Sequence, residues 1–101
     1  MYYIYLIYSN SADKYYIGHS SDPWKRLEQH NNNEPDKFTG KYKPWDLKAV
    51  FQISERKGDA DKIEKFIKRQ KSRKLILQLI ETDFIPNGVL VQLVRVPHVR
   101  N

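Results

Sequence analysis

Two short aromatic runs separated by a polar turn open the chain, and they restrict its fold more than anything that follows. In Tyr2-Tyr3-Ile4-Tyr5-Leu6-Ile7-Tyr8 nearly every residue is aromatic or β-branched. That composition suits a pleated strand packed on both faces better than a short helix, so residues 2–8 are read as a central strand. Ser9-Asn10-Ser11-Ala12-Asp13 holds turn formers, and Lys14-Tyr15-Tyr16-Ile17-Gly18-His19 resumes strand chemistry. A hairpin is the economical reading. Because strand side chains alternate, Tyr3, Tyr5 and Ile7 share one face, Tyr2, Ile4 and Leu6 the other, and Tyr16 and Gly18 lie together.

Ser20-Ser21-Asp22-Pro23 reads as a helix start. Asp22 can accept from exposed backbone N–H groups, and Pro23 fits the first helical position, where no N–H is required. The helix runs to about His30 and ends at Asn31-Asn32-Asn33. Trp24 and Leu27 form its apolar edge, while Arg26 and His30, four apart, sit together on a different, polar face. Residues 31–46 form a polar loop punctuated by Pro and Gly, long enough for a functional role. Its aromatics alternate with lysines, a composition that stacks on bases and touches phosphates. Lys41 and Lys43 are the candidates for nucleic-acid contact there, and Trp45 reads rather as a pin to the core.

Leu47-Lys48-Ala49-Val50-Phe51-Gln52-Ile53 alternates apolar and polar residues, predicting a third, half-exposed strand with Leu47, Ala49, Phe51 and Ile53 on one face. Gly58-Asp59-Ala60-Asp61 opens a helix with Ile63, Phe66 and Ile67 as its buried stripe and Glu64 at that stripe's edge. Lys65, Lys68, Arg69, Lys71, Arg73 and Lys74 concentrate positive charge there and in the turn beyond, a pattern that can track a phosphate backbone. Ser72 caps a further helix from Arg73 to about Glu81, with Leu75, Ile76, Leu79 and Ile80 buried. After the Pro86-Asn87-Gly88 turn, Val89 to Val96 is rich in β-branched residues and predicts either an extra edge strand or an arm for homodimerisation. Pro97 to Asn101 are expected to fray.

At 101 residues the chain holds one core, burying roughly two-thirds of its unfolded surface. Eighteen Lys and Arg against twelve Asp and Glu give a net charge of +6, which favours a polyanionic partner, nucleic acid before others. The absence of cysteine excludes disulfides and thiolate metal sites. No basic leader with a small-residue cleavage site precedes the first strand, and no apolar run approaches the ~20 residues of a membrane span. The expectation is a soluble, cytoplasmic protein without membrane attachment.

Taken in order, Tyr3-Ile4-Tyr5, Tyr16-Ile17-Gly18, Arg26, His30 and Glu64 resemble the GIY-YIG endonuclease family, most of all its small free-standing bacterial members. The resemblance covers roughly residues 2–80. It implies an α/β fold, a single domain over residues 1–82 with a three-stranded antiparallel sheet flanked by helices, and an extension over 83–101. It also implies hydrolysis of a DNA phosphodiester with one divalent cation, Mg²⁺ or Mn²⁺, on Glu64 as its single protein ligand. A lone hard carboxylate suits Mg²⁺, which keeps several waters. In that scheme Tyr5 or Tyr16 orients and deprotonates a water, the family analogy favouring Tyr16. Arg26 neutralises the phosphoryl oxygens, His30 relays the proton or the cations lower the phenol pKa, and the cation stabilises the leaving 3′ oxygen.

His19, directly after the second triad, is either a phosphate contact or an ordinary edge-strand histidine. Lys68, Arg69, Lys71 and Arg73 complete the expected nucleic-acid face. Two departures stand out: Tyr3 occupies the family's glycine position, and Arg73-Lys74-Leu75-Ile76 lies where some members carry an asparagine. The alternative to an enzyme is a nucleic-acid-binding module that retains the fold without turnover.

Overall fold

Residues 1–34 and 37–98 are described by the computed structural model, and the opening hairpin forms as its residue types require. Strand β1 (Tyr2–Ser9) pairs antiparallel with β2 (Lys14–Ser20), setting Tyr5 opposite Gly18 and Ile7 opposite Tyr16. Asp13 closes the turn at φ +52°, a left-handed conformation that Asp tolerates better than most residues. Strand β3 (Asp46–Ser54) takes the other edge of β1, and β4 (Val94–Val96) pairs antiparallel with β3. The order β2-β1-β3-β4 makes β1 central, as its composition predicts, in a sheet of four strands.

Alternation then divides the core in two. Ile4, Leu6, Ala49 and Phe51 meet Ala60, Ile63 and Ile67 of helix α3 (Lys57–Gln70) and Leu79 of helix α4 (Arg73–Ile80). On the opposite face Tyr5, Ile7, Val50 and Trp45 meet Trp24 and Leu27 of helix α1 (Pro23–Asn32). Phe66, expected on the buried stripe of α3, packs only partly against the first cluster.

Strand β3 departs from its predicted half-exposed state, because helices cover one face and the Trp45 cluster the other, leaving Val50 fully buried. A register shift sets Leu6 opposite Ala49 but Ile7 opposite Leu47. This bulge turns Leu47 onto the face opposite Ala49, against the simple alternation.

Helix α1 starts where expected: Asp22 accepts from the Lys25 backbone N–H at 3.1 Å, with Pro23 at the first position. It continues two residues past His30. The loop after it contains a short helix, α2 (Phe38–Lys41), while Pro35 and Asp36 lie outside the described residues. Asn31 holds the loop's return, accepting from the Trp45 N–H at 2.6 Å and donating to the Trp45 carbonyl at 3.1 Å. The Trp45 indole N–H donates to the Thr39 carbonyl at 2.7 Å, so this tryptophan does pin the loop.

The C-terminal expectation needs the largest correction. Gly88–Gln92 is a 3₁₀ helix, not strand, and only Val94–Val96 extends the sheet. Leu90 and Leu93 explain the difference. Three residues apart, they align on one side of a 3₁₀ turn, and both bury in the cluster under α4. Of the two alternatives for this segment, the edge strand within the same chain is the one formed. From β4, Arg95 donates through Nη2 to the carbonyls of Leu79 and of Glu81, the latter at 2.9 Å. Its guanidinium thus satisfies carbonyls left over at the end of α4. Of the segment expected to fray, Val99–Asn101 lie outside the described residues, and the His98 carbonyl accepts from the Trp24 indole at 2.8 Å. No described helix is long and apolar enough to cross a membrane.

Helix α3 ends on Lys71 in the left-handed conformation, φ +47°, its N–H returning to the Lys68 carbonyl. Glycine reaches this conformation without the penalty a Cβ incurs. Lys71→Gly is expected to raise stability by up to about 1 kcal/mol, seen as a melting temperature higher by a few degrees in circular-dichroism unfolding.

Candidate active site

Tyr5 points from the middle of β1 toward α1, and its ring crosses the backbone of Gly18 on β2. A Cβ at position 18 would stand 2.4 Å from the Tyr5 hydroxyl oxygen and 2.6 Å from Cζ. Only glycine lets the phenol lie there. The hydroxyl meets His30 Nε2 at 2.8 Å, with both side chains buried. His30 had been expected on a polar face beside Arg26. Instead it turns inward from α1, because its imidazole is the partner that makes the buried hydroxyl affordable in an apolar core.

Burial, followed by the neighbouring Tyr16, raises the Tyr5 pKa well above its usual value, although Arg26 acts in the opposite sense. Burial first, and the Arg26 charge second, lower the His30 pKa to about 4. At neutral pH both groups are therefore uncharged. The two share one hydrogen bond, whose sense follows the imidazole tautomer, and His30 Nδ1 is buried without a hydrogen-bond partner among the described residues.

Tyr16 approaches the same histidine from β2, its ring edge-on with centroids 5.1 Å apart. Phe38 and Trp45 flank it at 6.0 and 6.3 Å. Arg26 donates to Gln29 Oε1 at 2.8 Å on the exposed side of α1, and its charge reaches both Tyr5 and His30. Glu64 projects from α3 with its side chain 14% exposed, Oε1 at 2.7 Å from His19 Nδ1 and Oε2 at 3.1 Å from Lys68 Nζ. The Lys68 ammonium also stands 5.4 Å from the centre of the Tyr16 ring. The Glu64 charge in turn opposes ionisation of Tyr5.

Tyr5, Tyr16, Arg26, His30 and Glu64 thus form one electrostatic neighbourhood, joined by His19 and Lys68. Lys68 pairs with Glu64 at the solvent edge of this group, its side chain 45% exposed, and His19 is turned to the carboxylate. The position of Lys68 four residues after Glu64 is the sequence sign of their pairing.

The remaining expected nucleic-acid residues lie apart. Lys41 stands over the Tyr42 ring at 5.3 Å, and Lys43 Nζ donates to the Asn33 carbonyl at 3.0 Å. Arg73 pairs with Asp13 at 2.6 Å and stacks over Tyr15 at 5.1 Å, clasping the start of α4 to the hairpin turn. Arg69 and Lys71 form no ion pair among the described residues. Sequence reasoning missed the tight Gly18–Tyr5 approach, which depends on cross-strand register, and the burial of His30.

Among the described residues no cluster of three or more His, Cys, Asp and Glu gathers. The donor set therefore fits a cation held by one carboxylate, Glu64, beside the His19 imidazole, with water and phosphate oxygens supplying the rest. Mg²⁺ favours such a shell.

Gly18→Ala is expected to destabilise the fold by about 1–3 kcal/mol, because the fully buried ring has nowhere to retreat; urea denaturation measures it. Acid unfolding gives a second expectation. The unfolded chain protonates His30 near its ordinary 6.5, the folded chain only near 4, so unfolding takes up a proton in that window. Stability should fall as pH drops from about 6.5 to 4, by up to about 3 kcal/mol from this group. His30→Asn should flatten that part of the stability profile.

A family model described as the GIY-YIG catalytic domain matches residues 1–76. No curated protein matches the chain. The match runs from β1 into α4, taking in the hairpin, α1 and the glutamate helix. Members of this family are nucleases that act on DNA and generally use divalent metal ions. With 76 of its 101 residues inside the match, the chain belongs to the GIY-YIG family.

Proposed function

We propose that the protein is a DNA endonuclease or nickase that hydrolyses phosphodiester bonds with one Mg²⁺ or Mn²⁺ held by Glu64. The observation that carries this reading is the Tyr5 hydroxyl, hydrogen-bonded to His30 and within electrostatic reach of Tyr16, Arg26 and Glu64 together. Residues 1–82 serve as the nuclease unit and 83–101 as its extension.

The roles divide by protonation. Tyr5, with its pKa raised by burial, keeps its proton and serves as a neutral, fixed partner of His30. Tyr16 is the better candidate to orient the attacking water and accept its proton, in line with the family analogy. The Lys68 ammonium stands 5.4 Å from the centre of the Tyr16 ring. His30 holds Tyr5 in place through Nε2. Arg26, exposed enough to leave Gln29, neutralises charge growing on the phosphoryl oxygens. Glu64 would hold the cation, which when bound would supply Lewis-acid stabilisation of charge on the leaving group. Lys41, Lys43, Arg69 and Lys71 meet the backbone, consistent with the net charge of +6.

One observation favours the second reading, a binding module without turnover: both Glu64 oxygens are already engaged, by His19 and by Lys68. Nicking of supercoiled plasmid in Mg²⁺ or Mn²⁺ decides between them. Glu64→Ala should abolish nicking, and Arg26→Ala should slow it by roughly 10²–10³-fold. Nicking that survives both substitutions places the chemistry elsewhere, and tight binding without nicking supports the module.

A further inference from the structure

Among the described residues the exposed large apolar side chains are Met1, Phe38, Leu77, Ile85, Val89, Val91 and Val94, and Phe38, at 51% exposure, is the one aromatic among these. It is also the one beside the catalytic group, with its ring 6.0 Å from that of Tyr16. A Phe half out of water at the edge of a reaction centre loses transfer free energy, and no described residue covers its exposed half.

Its position is nevertheless well fixed. Helix α2 is tied down by the Trp45 indole on the Thr39 carbonyl and by Asn33 Nδ2 on Thr39 Oγ1 at 2.8 Å. The buried side of the ring packs edge-on against Tyr42 at 5.1 Å and tilted against Trp45 at 6.2 Å. Beyond the free side lies a cleft of about 310 Å³ lined by Asp13, Lys14, Tyr15, Phe38, Arg73 and Ile76.

The charges around this surface are cationic. Lys14 and Lys41 stand over the Tyr42 ring at 5.2 and 5.3 Å, and the one acid in the cleft, Asp13, is neutralised by Arg73. An exposed aromatic ring that shares its cleft with Lys14 and packs on Tyr42, over which both ammonium groups stand, is suited to a nucleotide: base on the ring, phosphates on the lysines. It is not suited to an apolar peptide, which would leave the lysines unmatched.

A base inside duplex DNA has both faces covered by its neighbours, so only an unstacked base can present a face to Phe38. We propose that Phe38 and its cleft receive an unstacked base flanking the scissile phosphate, so that the substrate class is DNA with unpaired nucleotides, such as a flap, a branch or a single strand. The placement of that base beside the cut rests on the nuclease reading above; the binding itself does not.

The test is therefore made without metal. Fluorescence anisotropy in EDTA compares a labelled duplex, the same duplex bearing an unpaired flap, and the single strand. Wild type should bind the two unpaired probes more tightly than the duplex. Phe38→Ala should weaken the unpaired probes by roughly tenfold while leaving the duplex nearly unchanged. Phe38→Leu, which keeps the apolar packing but removes the π face, should lose the same preference, and Phe38→Trp should retain it. Lys14→Gln with Lys41→Gln should weaken all probes alike and reduce the salt dependence. Equal weakening of all probes by Phe38→Leu, or no change in any, overturns the inference. If the preference is lost as expected but plasmid is never nicked, the nuclease reading fails and this one stands. If plasmid is nicked and Phe38 substitutions leave binding unchanged, only this inference fails.

Discussion

A hydroxyl carried into the centre of a sheet that is covered on both faces has to find a partner there, and Tyr5 finds His30. Most of the site's geometry depends on that bond. It draws α1 onto the Tyr5 face of the sheet, and it sets the imidazole where Tyr16 packs edge-on from the next strand. Arg26, one turn earlier on the same helix, is thereby placed within electrostatic reach of both phenol and imidazole. The pair is neutral, so this reaches the interior without burying a charge, which would cost far more than the hydrogen bond returns.

Charge is confined to the edge of β2, where solvent can share it. Glu64, His19 and Lys68 form a compact acid–base cluster there, and the carboxylate has a hydrogen-bond donor at each oxygen. The cationic surface around the site is divided. Part of it is committed to internal pairs, Lys68 to Glu64 within α3 and Arg73 to Asp13 between α4 and the hairpin turn; the rest, including Lys41, Arg69 and Lys71, forms no ion pair among the described residues. Net charge alone does not distinguish these two uses, because the same +6 results whichever lysines are paired.

The strand pattern was legible wherever one period governed a run. Alternation in Tyr2 to Tyr8 sorted its side chains correctly between two faces, and Asp22-Pro23 marked the start of α1 because capping is local chemistry. Legibility failed where tertiary contacts overrode the local signal. Leu47 changed face through a bulge that only the pairing with β1 imposes. Val89 to Gln92 carries strand-forming residues, yet Leu90 and Leu93 find more burial as a 3₁₀ turn. The ordered residues of the site could be read by resemblance, but the inward turn of His30 could not, since its helical position beside Arg26 suggested a polar face. Nor could the use of Arg73, whose partner Asp13 is 60 residues away in the chain.

The close approach of Gly18 and Tyr5 carries a consequence for how such a protein can change. A side chain at position 18 becomes acceptable only once the ring at position 5 has gone, and without that ring the imidazole at position 30 is left as a buried polar group without its hydrogen-bond partner. The three positions are therefore epistatic: each substitution is harmful until another has already occurred. Drift along this part of the chain is closed to single steps, whereas Tyr3, one pleat away and free of that contact, can depart from the family's glycine at little cost.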